Sequence, residues 1–434
     1  MKESGENIET AGWRNLHYGW VMVANGAIVN AIGSVHAATF PIFFLPIQQE
    51  FKVGSAAVAF VLTMARVQGG IEGPLVGWFI DRVGPRIPAV LAALIGGIGF
   101  LILPMANTYW SFVFIYVLVI SFAFNMGFLH AMHAVANLWF VRYRTRVLSI
   151  YSSSLRFGSA LLTPVVAAIV LKNGWRGGAT FAGVLVLVAA LPLTFLIRKT
   201  PESMGLLPDW EKPGSDDTAA SEQTQQKLDR PKSPEDFETG QALRSVSYWL
   251  IMYSTAVRHA VLAGVRVHFI PIFVGLGFSE ITGASFLALT SFIATPLILF
   301  NGWLGDRVYK PYVLMTGQVA SVIGMLFLMN AGSAWTLYLF TFFFAYGEST
   351  APVNHSIIGD FYGRKNFAKL NGMLGAGVMF GSTLTPVAAG LVVDNLGTYT
   401  PALWGFMAAA AVAAVLMMMC RRPEKPAKFV AKPY

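Results

Sequence analysis

The sequence has 434 residues, of which 55% are hydrophobic and only 12% are charged. Soluble domains carry about 25% charged residues, so this composition excludes an ordinary soluble domain and indicates a membrane protein with several spans. The formal net charge of +9 could suggest a nucleic-acid partner, but the positions of the charges give it another explanation.

Twelve apolar segments are long enough to cross a bilayer as helices, which takes about 20 residues. In chain order they cover residues 19–47, 55–80, 87–106, 110–139, 147–171, 177–198, 246–276, 279–304, 312–331, 335–361, 367–393 and 399–420. We therefore predict an all-α integral membrane protein with twelve transmembrane helices in two bundles, at 19–198 and 246–420. The polar, proline-containing stretch 199–245 cannot bury an apolar core and reads as a linker, with polar tails at 1–18 and 421–434.

The basic residues are distributed unevenly between these segments. Most of the 31 Lys and Arg residues lie in the tails and the even-numbered connections, and only Lys52, Lys172 and Arg176 fall in odd-numbered ones. Because positively charged connections stay on the cytoplasmic side, both termini and the linker are predicted to be cytoplasmic. This distribution explains the net charge, so we predict a protein of the inner membrane whose surroundings are the lipid bilayer, with no nucleic-acid partner.

A charged turn occurs twice, about half a chain apart. The copies are Gly77-Trp-Phe-Ile-Asp81-Arg82-Val-Gly84-Pro-Arg86 after the second segment and Gly302-Trp-Leu-Gly-Asp306-Arg307-Val after the eighth. Further matches are Phe157-Gly-Ser with Phe380-Gly-Ser, and His133 followed by Arg142 with His355 followed by Arg364. The chain therefore consists of two related halves.

The first turn resembles the signature of the major facilitator superfamily of secondary transporters, which has a weaker copy between helices 8 and 9. The resemblance implies two pseudo-symmetric six-helix bundles with a substrate site between them near the membrane midplane. In that family the turn latches the bundles together on the cytoplasmic side, and Asp81, Arg82 and Arg86 inherit this role by resemblance. The second copy, with Asp306 and Arg307, lacks the following glycine. We therefore expect an asymmetric latch.

Three stretches resemble bacterial members of the monocarboxylate porter and oxalate/formate antiporter group. They are Tyr18-Gly-Trp-Val, Ala65-Arg-Val-Gln-Gly-Gly-Ile-Glu-Gly-Pro and Trp139-Phe-Val-Arg142. This resemblance implies uptake or exchange of small carboxylates, often with a proton. Such porters usually carry an arginine in helix 8, whereas residues 287–301 contain no charge, and a lysine in helix 1, where only His36 is near. The substrate is therefore predicted to be larger than lactate, either aromatic or a dicarboxylate.

Several charged residues lie within the apolar segments themselves. The arginines are Arg66, Arg156, Arg258 and Arg266, and the acids are Glu72 and Glu348. A charge at membrane depth costs about 2.5–3.5 kcal/mol on insertion scales, so it usually faces a cavity or a partner. The excess of positive charge suits an anionic substrate, because the planar guanidinium can bind both oxygens of a carboxylate.

We predict Arg266 as the carboxylate anchor, since it shares a helix face with His259 and its repeat counterpart is His36. Arg258 is the reserve anchor. The predicted hydrogen-bonding neighbours are His36, Asn125, His130, Tyr346 and Asn354. For proton coupling we predict Glu348 and His355, which are seven residues apart on one helix face.

The same residues also have structural interpretations. Arg66 could pair with Glu348 or serve as a strut, Arg156 could be a gating or packing charge, and Glu72 is poorly phased for a pair with Arg66. His130 and His133 have the spacing of a metal pair, but no third ligand is evident, so no metal is predicted. No cofactor loop or catalytic set is found, and an enzyme is not expected.

The predicted function is transport of a small organic anion by alternating access, coupled to protons or to exchange of a counter-anion, by a monomer. The alternative is a proton-antiport exporter of lipophilic drugs. Such exporters share the first turn but carry Gly-Pro and further glycines on helix 5, where this chain has Thr163-Pro164-Val-Val-Ala-Ala. A non-transporting sensor would normally need a signalling domain or a long cytoplasmic extension, which the sequence does not show.

Overall fold

The computed structural model describes residues 18–204, 206, 208 and 236–424, and the regular structure within them is helical. The predicted N-terminal tail, most of the linker and most of the C-terminal tail lie outside the described residues. We number the helical segments α1 to α12 in chain order, and a segment interrupted by a short break keeps one number.

The first half contains α1 to α6. Their bounds are Tyr18–Gly33 with Val35–Phe51 for α1, Ser55–Val83 for α2, Arg86–Ile102 for α3, Tyr109–Trp139 for α4, 144–173 for α5 and 175–194 for α6. A single residue, Gly174, separates α5 from α6, with a φ of 70°. Such a backbone angle is accessible to glycine at little cost, so this position turns the chain sharply between two helices.

The second half contains α7 to α12. Their bounds are Val246–Val267 with Phe269–Gly275 for α7, Glu280–Gly305 for α8, Lys310–Met329 for α9, Ala334–Ser349 with Ala351–Tyr362 for α10, Phe367–Leu396 for α11 and Thr400–Met419 for α12. The two parts of α7 meet at 61°. The break in α10 at Thr350 lies just before Pro352, whose ring cannot continue the hydrogen-bond ladder.

The start of α4 corresponds to the start of α10. Thr108 caps α4 in a capping box with Ser111, and Ser333 caps α10 in a capping box with Thr336. Reciprocal capping of this kind satisfies backbone N–H groups at a helix start, so the two helices begin by the same local chemistry.

By length and composition, the described residues contain eight helical stretches able to cross a membrane, or nine if the bent α7 is one span. One of the eight stretches comprises both α5 and α6, while α2 and α10 are not among them. The predicted count of twelve crossings and the cytoplasmic position of both termini therefore remain predictions.

Two of the helix pairs that join the halves are α2 with α11 and α5 with α8. In the first, a Cβ on Gly73 would lie 2.6 Å from the carbonyl oxygen of Gly372. In the second, a Cβ on Gly302 would lie 2.2 Å from Oγ of Ser149. Small residues allow helix backbones to approach this closely in membrane proteins. Both contacts lie toward the end of the molecule that carries the charged turns.

Candidate functional site

Each charged turn contacts the start of a helix in the opposite half. The Asp81 carboxylate accepts the backbone N–H groups of Ala368 and Lys369 at 3.0 and 2.9 Å, in the first turn of α11. The Asp306 carboxylate accepts those of Thr145 and Arg146 at 2.9 and 3.2 Å, in the first turn of α5. A carboxylate is favourable at a helix N-terminus, so each half caps a helix of the other.

This arrangement corrects the expected asymmetry of the latch, because Asp306 makes the same pair of contacts as Asp81. The resemblance predicted that the arginine of the turn would help to latch the halves, but both arginines pack within their own half. Arg82 lies over the ring of Trp78 at 5.6 Å, and Arg307 lies over the ring of Trp303 at 4.0 Å. Each arginine therefore stacks on its own helix, and the hydrogen bonds across the latch come from the aspartates.

The remaining residues of the first turn are two glycines and an arginine, and the glycines leave room for close neighbours. A Cβ on Gly77 would lie 2.2 Å from the carbonyl oxygen of Ala368. Gly84 has a φ of 86°, which an L side chain rarely adopts. Arg86 follows at the start of α3, where it borders a separate cavity described below.

A charged cluster lies deeper, where α5, α7 and α10 meet. Glu348 is only 6% exposed, and its carboxylate binds the guanidinium groups of Arg156 from the first half and Arg266 from the second. The Arg266 Nη2 to Glu348 Oε2 distance is 2.9 Å. Arg258 donates to the backbone carbonyl of Glu348 at 3.4 Å. Three arginines thus contact Glu348, two at its carboxylate and one at its backbone, and we call these four residues the arginine cluster.

The two arginines that hold the Glu348 carboxylate are open to solvent or substrate. Their side chains are 33% and 36% exposed for Arg156 and Arg266, whereas Arg258 is 4% exposed and buried. Arg266 also donates to Oγ of Ser291 on α8 at 3.3 Å. Two arginines of the cluster are therefore partly accessible, and the third is not.

Arg66 lies on α2 and is not part of the arginine cluster. Arg66, Gly70, Gly73 and Gly77 recur at helical intervals and form one face of α2. Gly70 and Gly73 contact α11, at Met379 and Gly372, but Arg66 is exposed. The two helices therefore separate at the level of Arg66. The predicted pair of Arg66 with Glu348 is not formed among the described residues, because the Glu348 carboxylate binds Arg156 and Arg266.

Three histidines lie on α4 and α10. His133 on α4 and His355 on α10 have ring centroids 4.4 Å apart, and His355 Nδ1 lies 2.7 Å from Oδ1 of Asn371 on α11. His130, also on α4, is 8% exposed. Within the part of the chain that the structure describes, no three His, Cys, Asp or Glu side chains are arranged to hold a metal ion.

Several predicted neighbours of Arg266 lie elsewhere. His36 Nε2 is 3.0 Å from Oγ of Ser121, and its ring stacks on Phe124 within the first half. Tyr346 bonds Thr316 on α9 at 3.1 Å. Asn125 lies beside Glu72, which also binds Gln68. These three side chains are not brought together with the arginine cluster.

The remaining predicted residues are close to the cluster along the chain but face other partners. Asn354 accepts a hydrogen bond from Thr255 of α7 at 3.0 Å, and it is 1% exposed. His355 and Glu348 lie on either side of the break at Thr350. His355 contacts His133 and Asn371, whereas Glu348 contacts arginines. The predicted coupling pair is therefore divided between two networks.

The role of Arg156 as a partner of Glu348 was missed in the sequence, although the repeat contained a signal for it. Aligning Phe157-Gly with Phe380-Gly places Arg156 opposite Met379, and aligning Gly77 with Gly302 places Arg66 opposite Ser291. Each interface between the halves therefore carries one arginine at the level where the helices separate.

The sequence pattern described as "Major Facilitator Superfamily" matches residues 26–298 and 269–433. An uncharacterised MFS-type transporter of Bacillus subtilis, YcxA, is 26% identical over 163 residues, which are 38% of this chain and 40% of that protein. A probable sulfoacetate transporter of Cupriavidus necator, SauU, is 25% identical over 349 residues, covering 74% and 75%. The oxalate:formate antiporter of Oxalobacter formigenes is 22% identical over 396 residues, covering 88% of each.

The fold comparison agrees with these matches. A structure of the major facilitator transporter FucP in the outward conformation superposes with a TM-score of 0.71 at 13% identity, covering 94% of this chain and 100% of that one. The predicted family and fold are thus confirmed. The chain belongs to the major facilitator superfamily.

Proposed function

We propose that this transporter carries a small organic anion with one or two carboxylate groups. The observation that supports this proposal is the convergence of Arg156 and Arg266, from opposite halves, on the single carboxylate of Glu348. A substrate carboxylate offers the same oxygen pair as Glu348 and can bind the exposed faces of both guanidinium groups. The relatives named for oxalate, formate and sulfoacetate all handle small organic anions.

Alternating access would proceed from the conformation described here. The halves are joined at the charged turns and separate at the level of Arg66, and the predicted topology places the turns in the cytoplasm. The arginine cluster would then be reached from the outside. Binding of an anion by arginines of both halves would draw the halves together and favour the opposite opening.

Proton coupling would use Glu348. While it is ionised, Glu348 occupies Arg156 and Arg266, so an incoming carboxylate must compete with it. Protonation would neutralise Glu348 and release both guanidinium groups for the substrate. The chain would in that case perform proton symport, whereas displacement of one bound carboxylate by another would give anion exchange.

A thermal-shift screen of the purified protein tests the substrate class. Ligands that bind the native state raise the melting temperature by mass action. We expect shifts with oxalate, sulfoacetate or an aromatic carboxylate, and no shift in the Arg266→Gln variant, whereas the Arg421→Gln variant at the exposed end of α12 should respond like the wild type. Shifts only with lipophilic cations would support the exporter alternative and overturn this proposal.

A further inference from the structure

A second basic site lies outside the transport pathway, between the ends of α3 and α6 next to the first charged turn. A cavity of about 520 Å³ opens there, lined by Val83, Arg86, Ile87, Val90, Leu91, Phe195, Arg198, Lys199 and Ser203. Three of these residues are cationic, and the lining contains no acidic residue. We propose that this cavity binds the headgroup of an anionic phospholipid.

The charges of the cavity favour an anion. Arg198 and Lys199 are exposed, and among the described residues they form no ion pair with a carboxylate. The nearby Glu202 is engaged elsewhere, since it pairs with Arg364 at 2.8 Å. Basic pockets between membrane helices on the cytoplasmic side suit lipid phosphates, where guanidinium and ammonium donors meet several phosphate oxygens.

The shape of the turn holds the lysine in place. Gly84 has positive φ, and the side chain of Lys199 passes directly over it, with Cγ 2.7 Å from where a Cβ on Gly84 would lie. Because glycine leaves this space open, the Lys199 stem can lie against the turn while its ammonium group lines the cavity. The signature glycine therefore shapes the lipid site as well as the turn.

The apolar wall of the cavity identifies a lipid rather than a soluble anion. Ile87, Leu91 and Phe195 line it and are 47%, 36% and 48% exposed. Ile87 and Leu91 belong to α3 and Phe195 directly follows α6, both helices of membrane length, so these exposed surfaces would face acyl chains. A soluble phosphate would leave this apolar wall in water, whereas a phospholipid covers it with its own chains.

Native mass spectrometry of the purified protein can test this site with phosphatidylglycerol against phosphatidylcholine. We expect the wild type to retain phosphatidylglycerol preferentially and the Arg198→Gln/Lys199→Gln variant to lose about tenfold or more of that preference. The matched control is Lys365→Gln/Arg421→Gln, which removes two exposed cations elsewhere at the same predicted side and should retain the lipid. If the double variant does not fold, the single variant Lys199→Gln serves with a smaller expected loss.

Three outcomes would overturn the proposal. The two lipids could be retained equally, or both double variants could lose phosphatidylglycerol to the same extent, which would indicate general surface charge. Inorganic phosphate or glycerol phosphate could also displace phosphatidylglycerol at matched concentration, which would identify a soluble-anion site.

Discussion

Gly73 on α2 faces Gly372 on α11 so closely that a Cβ on either one would meet the backbone of the other, at 2.6 Å from Gly73 and 2.0 Å from Gly372. This contact belongs to the end of the molecule where the halves are closed. It must loosen whenever that end opens, which makes it a sensitive point for the balance between conformations.

The Gly73→Ala variant should therefore weaken closure at the charged-turn end. Overpacking of a tight contact costs about 1–3 kcal/mol, which corresponds to about a 5- to 100-fold shift between conformations. A Ser149→Cys reporter at the α5–α8 interface can measure it, because Ser149 is 1% exposed and the only other cysteine, Cys420, is also 1% exposed. We expect a water-soluble thiol reagent to label Ser149→Cys faster when it is combined with Gly73→Ala than in the otherwise unmodified protein.

The control for this prediction is Gly375→Ala on α11, where a Cβ would meet nothing within 4 Å. It should leave both labelling and transport unchanged. Equal labelling rates in the Gly73→Ala variant and the unmodified background would contradict the prediction.

Replacing Glu348 by glutamine should separate the two proposed transport modes. The variant keeps the shape of the side chain but removes the charge that binds Arg156 and Arg266. Accumulation driven by a pH gradient in proteoliposomes should be lost, while exchange of internal for external substrate continues. Glu72→Gln, at the other acid of membrane depth, is the matched control and should keep both modes. Unchanged pH-driven accumulation in Glu348→Gln would rule out its coupling role.

Arg66→Gln should discriminate between substrates with one and two anionic groups. Arg66 is exposed on the face of α2 whose Gly70 and Gly73 contact α11, and we expect it to meet a second carboxylate while the first binds Arg266. A lost hydrogen bond to a charged group is worth about 1.5–3 kcal/mol, so dicarboxylate affinity should fall about 10- to 100-fold. Affinities for both classes can be measured by thermal-shift titration, and the affinity for monocarboxylates should change little. An equal loss for both classes would indicate a structural role for Arg66.

The ion pair of Glu50 and Arg176 should give a pH-dependent contribution to stability. Arg176 Nη1 donates to Glu50 Oε2 at 2.7 Å, and Trp175 Nε1 donates to the same oxygen at 2.6 Å. The hydrogen bond from Arg176 holds the pKa of the Glu50 carboxyl below its usual 4.5, since it favours the ionised form. The contribution is therefore complete above about pH 4.5 and is lost as the pH falls through the lowered pKa.

Glu50→Gln should accordingly lower the melting temperature at pH 7 by about 1–3 °C, a modest effect because the pair is partly exposed. The difference from the wild type should be the same at pH 5 and should shrink at pH 3.5, below the usual pKa of the carboxyl group. A difference that stays constant over this range would show that the effect comes from packing and not from the ionised pair.

Much of the architecture could be predicted because the sequence repeats itself. The pair of turns at Asp81 and Asp306 indicated two halves, and every predicted span coincides with a helical segment to within a few residues. What the turns contact could not be predicted, since the partners are backbone N–H groups of the opposite half. Such groups are present at the start of every helix and leave no mark in the side-chain pattern.

The site was only partly predictable for a related reason. Helical phase places Glu348 on one face of α10 but does not identify the helix that packs against that face, so Arg156 was interpreted only as a gating or packing charge. Helical phase alone could have excluded Tyr346 from the arginine cluster. It is two residues from Glu348 and therefore points to nearly the opposite side of α10. His36 was predicted from its repeat counterpart, Arg266, but the two helices differ, because α7 bends by 61° just after Arg266.

The reciprocal capping by Asp81 and Asp306 has a consequence for the speed of the transport cycle. Opening the closed end breaks the four hydrogen bonds from backbone N–H groups to the two carboxylates. It also exposes the carboxylates and the helix N-termini to water, which can replace each lost partner. A capping side chain contributes about 0.5–2 kcal/mol to a helix, so the two aspartates together contribute about 1–4 kcal/mol to keeping the end shut. That is within the range that differential binding of one substrate can supply, and the joint can be undone and remade in every turnover.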